Sequence, residues 1–84
     1  MTRQEIFDKL KDILLLTDDR NRDEISECTE SANLMTDLGF SSVTMLYMVI
    51  AIEEEFGIRF DDSVGAADFE TLGDVISYIK KKLP

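Results

Sequence analysis

Leu38 to Gly57 read LGFSSVTMLYMVIAIEEEFG, two adjacent serines, a nearly unbroken apolar run, then three glutamates and a glycine. Between Val43 and Ile52 only Thr44 and the Tyr47 hydroxyl are polar. The run is far short of the ~18 residues a membrane span needs. It fits one helix from about Ser42 to Phe56, with Ser41 as N-cap and Gly57 in the C′ position that favours glycine. Ser42 then opens the helix with its hydroxyl on the rim. A phosphate there would lie near unpaired N–H groups and the positive end of the helix dipole. Spacing alone leaves open that both serines only cap.

Outward from this helix, Ile6, Phe7, Leu10, Ile13 and Leu14 fall at helical spacing over residues 3–16, with Thr2 a candidate N-cap. At the other end, Thr71 and Asp74 form a variant capping box for a helix that buries Leu72, Val75, Ile76 and Ile79. Lys80, Lys81 and Lys82 complement its C-terminal dipole. DDSVGAADF, residues 61–69, suggests a short, weak helix or turn. The long polar stretch from Thr17 to Phe40 is expected to be a loop pinned by Ile25, Leu34, Met35 and Leu38, with room for a helical turn. A loop of that length in a compact domain points to function. The fold class is all-α: one domain, residues 1–84, with three main helices, one short helix and a long loop between the first two main helices. The expected core is Phe7, Leu10, Leu14, Leu38, Leu46, Ile50, Phe56, Phe69, Leu72, Val75 and Ile79.

The 84 residues include 18 acids and 9 bases, a formal net charge of −9, and 44% are hydrophobic. Nucleic acid and anionic membranes repel such a chain, so neither is an expected partner, and basic protein surfaces are favoured. With one cysteine and no histidine, disulfide staples and Cys–His or Ser–His–Asp catalysis are excluded, and a structural metal is unexpected. No G-x-x-x-x-G-K-[ST] loop is present. The first ten residues lack the apolar core of a secretory signal, which with the lone thiol suits a cytoplasmic protein. Asp19, Asn21, Asp23 and Glu30 match calcium-loop positions 1, 3, 5 and 12, but Glu24 stands where the sharp turn needs glycine. An acidic solvated loop is the simpler reading.

The stretch DLGFSSVTMLYMVIAIEEEFGI, residues 37–58, resembles the core motif of acyl carrier proteins, Asp-Leu-Gly-x-Asp-Ser-Leu followed by a helix ending Glu-Glu-Glu-Phe-Gly-Ile. ETLGDVISYI, residues 70–79, resembles the family's opening of its last helix. The resemblance implies a non-catalytic, standalone carrier, with 4′-phosphopantetheine attached to Ser42 by a phosphopantetheinyl transferase using coenzyme A. It implies acyl, polyketide or aminoacyl cargo held as a thioester. Partners would be acyl-loading ligases or synthases of a lipid, polyketide or nonribosomal peptide pathway, and the chain a monomer. The alternatives are a degenerate carrier-like interaction module without the group, or the calcium loop.

Three departures from the family pattern are expected to matter. Ser41 replaces the usual Asp before the modified serine, Thr44 and Tyr47 replace acids on the exposed face, and Arg59 replaces an acid beyond the helix end. Together they suggest a specialised carrier whose partners dock on Val43, Leu46, Tyr47, Ile50, Glu53 and Glu54. Met45 and Met48, set apart from the stripe of Leu46, Val49, Ile50 and Phe56, are expected to add to that apolar patch unless the bundle wraps the helix entirely.

Overall fold

The computed structural model describes residues 1–17, 22–61, 64 and 68–83. Among them are four helices and no strand: α1 (Arg3–Thr17), α2 (Arg22–Glu27), α3 (Ser42–Phe56) and α4 (Leu72–Lys82). α1 packs against each of the other three. It starts at Thr2, whose hydroxyl accepts the Glu5 N–H at 3.1 Å while the Glu5 carboxylate accepts the Thr2 N–H at 2.9 Å. Two of the first turn's orphan donors are thereby satisfied. Ile6, Leu10, Ile13 and Leu14 form its buried stripe. α4 carries the Thr71–Asp74 capping box and buries Leu72, Val75, Ile76 and Ile79. The short helix expected at 61–69 falls largely on residues outside those described. The short helix that is present, α2, lies inside the long loop and contributes Ile25 to the core.

The orientation of α3 corrects the sequence reading. Met45, Met48 and Ile52 are buried, whereas Leu46 and Ile50, expected in the core, are exposed. Fully burying such a side chain is worth roughly 1.5–3 kcal/mol on either face, so hydrophobicity cannot choose between them. The helix entry chooses. Phe40 and Met45 stand at N′ and N4 of the Ser41 cap, the two positions of a hydrophobic staple, and both are buried. With Phe40 and Met45 inside, Met48 and Ile52 follow at i+3 and i+7 of Met45 and the opposite row turns outward. Phe7 and Phe56 are only partly buried, packed against the core edge.

The loop before α3 is compact. Asn33 Oδ1 accepts the N–H groups of Met35 and Thr36, both at 2.9 Å, and Asp37 Oδ2 accepts the Asn33 N–H at 2.7 Å. Gly39 takes φ 70°, a left-handed conformation that a side chain would strain. The chain is thereby aimed at Phe40, whose N–H bonds the Leu34 carbonyl at 2.9 Å. Leu34 and Leu38 are buried, but Met35, also expected as an anchor, is exposed because the turn built on Asn33 swings it out of the core. The loop also pairs with the entrance to α4. The Leu34 N–H bonds the Glu70 carbonyl at 2.8 Å, Leu72 N–H bonds the Ala32 carbonyl at 3.1 Å and Gly73 N–H bonds the Glu30 carbonyl at 2.8 Å. Arg3 clamps this junction, with contacts to Glu30 Oε1 at 2.6 Å and Ser77 Oγ at 2.9 Å.

Candidate functional site

The two serines have different surroundings. Ser41 Oγ accepts the Thr44 N–H at 3.3 Å and shares a hydrogen bond with Thr44 Oγ1 at 3.2 Å. It is occupied as a cap. Ser42 is exposed at the first position of α3, and no described residue hydrogen-bonds its hydroxyl. Nothing has to break for that oxygen to take a substituent. Ser42 also edges a cleft of about 390 Å³ whose other walls are Asn33, Met35, Thr36, Met45, Phe69 and Glu70. The cleft combines amide, hydroxyl and carboxylate groups with thioether and aromatic surface. A wider depression of about 610 Å³ on the exposed side of α4, between Asp68 and Lys81, lacks the serine.

Away from Ser42, the outward face of α3 presents Val43, Leu46, Tyr47 and Ile50 with 60, 56, 60 and 45% of their surface exposed. These are the apolar members of the expected docking set. Met45 and Met48 are not part of that surface, although Met45 forms a wall of the cleft. Glu54 is exposed, while Glu53 is half-buried and its carboxylate accepts the Phe60 N–H at 2.8 Å, fastening the turn after the helix. Gly57 ends α3 at φ 67°, its N–H bonded to the Glu53 carbonyl. Glu55 turns toward α1, 4.0 Å from the Lys9 ammonium.

Asn33, Thr36, Phe69 and Glu70 are wall residues that the sequence reading did not assign to the site. Only Asn33 carries a local signal, an Asn four residues before an Asp in a turn-rich segment. The pairing of the loop with the start of α4, which brings Phe69 and Glu70 alongside Ser42, has no signature in either segment alone. Of the calcium-loop residues, Asp19 and Asn21 lie outside the described residues. Asp23 sits in the first turn of α2 rather than in a loop, and Glu30 is held by Arg3. Among the described residues no three metal-ligating side chains cluster, and no helix is long and apolar enough to cross a membrane.

Residues 8–79 match the family model for the phosphopantetheine attachment site. The chain is 44% identical to the acyl carrier protein of Thermotoga maritima, over 98% of this chain and 96% of that one. It is 36% identical to the acyl carrier protein of Lactobacillus acidophilus, over 95% of each chain. With that of Clostridium perfringens it shares 38%, over 88% of this chain and 92% of the relative. The structure fits the prosthetic group: a hydroxyl bonded to no described residue stands at the positive end of a 15-residue helix, beside a cleft of mixed polarity. The chain therefore belongs to the acyl carrier proteins, carriers rather than catalysts, which hold 4′-phosphopantetheine covalently.

Proposed function

We propose that Ser42 bears the phosphopantetheine arm and that the outward face of α3 is where the enzymes using it dock. The observation that carries the first part is the contrast between the two serines, Ser41 committed to Thr44 and Ser42 bonded to no described residue. When bound, the group supplies a thiol that holds an acyl cargo as a thioester. The chain's own residues position the attachment point. Asn33, Asp37 and Gly39 fix the approach, Ser41 caps, and the first-turn N–H groups favour a phosphate's negative charge. Asn33, Thr36 and Glu70 offer polar contacts along the cleft, and Met35, Met45 and Phe69 apolar ones. The partners are a phosphopantetheinyl transferase and the loading ligases or synthases of a lipid, polyketide or nonribosomal peptide pathway. They meet Val43, Leu46, Tyr47 and Ile50, with Glu54 and the remaining capacity of Glu53 supplying negative charge.

The test is intact mass after incubation with coenzyme A and a broad-specificity phosphopantetheinyl transferase. One phosphopantetheine is expected on the wild type and on Ser41→Ala, and none on Ser42→Ala. Addition to Ser42→Ala would place the arm elsewhere. No addition to the folded wild type with any transferase would leave an interaction module that has lost the group.

A further inference from the structure

The apolar row on α3 has a defined length and two chemically different ends. Val43, Leu46, Tyr47 and Ile50 fall at i, i+3, i+4 and i+7, the spacing by which a helix seats one face in an apolar groove. Its first residue adjoins Ser42. Its last, Ile50, lines a surface depression with Glu53, Glu54, Gly57, Ile58 and Arg59. Arg59 is exposed and has no ion pair or hydrogen bond to any described residue. Arg22 and Lys81 likewise have no ion pair or hydrogen bond to a described residue, whereas three other basic residues are held in ion pairs. Arg3 is paired with Glu30, Lys9 with Glu55 and Lys82 with Asp61. A chain with twice as many acids as bases thus sets no described carboxylate against the guanidinium at the far end of its exposed apolar row.

We infer that Arg59 is a specificity-determining contact. The partner enzyme receives α3 in an apolar groove and places a carboxylate against Arg59 at the end remote from its active-site mouth. This rests on the reading of α3 as the docking face. At 1.5 Å per residue the end of α3 lies about 21 Å along the axis from Ser42, and Arg59 follows the turn at that end, so the contact lies outside the chemistry and acts on binding alone. A guanidinium suits the task because its planar donor fork binds a carboxylate through two hydrogen bonds, which fixes direction as well as sign. The partner's surface is accordingly of two signs, basic where it meets Glu54 and acidic where it meets Arg59. An acidic helix face alone would not demand that reversal.

The experiment measures steady-state acylation of the holo-protein by the purified acyl-loading enzyme of the source organism, with Arg59→Glu and Tyr47→Ser as variants. Because Arg59 is exposed and bonded to no described residue, Arg59→Glu should leave the thermal unfolding midpoint unchanged. The substitution makes the carrier still more acidic, so steering by bulk charge would lower KM. The inference requires the opposite, a rise in KM of about fivefold or more with kcat unchanged, from loss of an ion pair and gain of a repulsion. Mutating acidic residues of the partner's groove to lysine should find one that restores the Arg59→Glu carrier. An unchanged or lowered KM for Arg59→Glu overturns the inference. If Tyr47→Ser still raises KM, the docking face stands without the Arg59 contact. If Tyr47→Ser has no effect either, the docking face itself is wrong.

Discussion

Which side of α3 faces the core is open to a direct energetic test with two truncations only two residues apart. Met48 is fully buried, whereas Leu46 keeps 56% of its surface in solvent. Met48→Ala removes core volume that its neighbours can refill only in part, at a cost of roughly 2–5 kcal/mol. Leu46→Ala removes side chain mostly from water and installs the best helix former, so its effect stays within about 0.5 kcal/mol. For a domain of this size each kcal/mol moves the melting temperature by about 4–8 °C. Met48→Ala should therefore melt at least about 8 °C lower, and Leu46→Ala no more than about 4 °C lower. Urea unfolding followed by far-UV circular dichroism measures both variants, and an unchanged m-value certifies that stability alone has moved. Met48→Leu nearly conserves volume and should cost less than about 1.5 kcal/mol, which keeps the comparison usable if Met48→Ala fails to fold. Equal costs for Leu46→Ala and Met48→Ala, or a larger one for Leu46→Ala, would refute the assignment of faces and remove the apolar row from the surface.

Two further outcomes follow from particular contacts. Gly57→Ala should cost about 1 kcal/mol in the same urea assay, because its φ of 67° strains any Cβ although no atom would touch it; an unaffected midpoint would show that the turn relaxes freely. The Asp61 carboxyl is held below its ordinary pKa by its hydrogen bond to Lys82, which also holds Lys82 above its own, so the pair's contribution is complete at neutral pH. It is lost as pH falls through the depressed Asp61 pKa, and at the alkaline end as pH rises through the raised Lys82 pKa. Lys82→Met should shift the Asp61 titration midpoint upward in an NMR pH series, and an unmoved midpoint would exclude Lys82 as the cause.

The bounds of the long helices were legible because their ends are written in local chemistry. Ser41 and Gly57 bracket α3, and the box at Thr71 and Asp74 starts α4. The stripes of α1 and α4 were legible because polar residues mark their outer faces. The rotation of α3 was not, since both its faces are apolar and side-chain type no longer distinguishes inside from outside. The informative residue was Phe40, one position ahead of the cap and separated by Ser41 from the helix it orients. Met35 was misplaced for a related reason: in a turn organised by the Asn33 side chain, apolar character does not determine direction. Ser42 stood out through its motif, but the opposite wall of its cleft arrives from Phe69 and Glu70, whose approach depends on hydrogen bonds between distant segments.

Those bonds have a consequence for how the molecule comes to exist. The loop that aims the chain at Ser42 is fastened to the entrance of α4, and Arg3, at the start of α1, reaches Ser77, 74 positions further along the chain. During synthesis residues 30–40 are made before their partners at 70–73, so the loop's fastening to α4 must follow the local bonds of Asn33, Asp37 and Phe40, which need no distant partner. Closing so large a loop carries an entropic cost that is repaid only once α4 docks, so this fastening is expected late in folding. A chain cut short before residue 70 is therefore expected to keep the local turn ahead of Ser42 but to lose its fastening to α4.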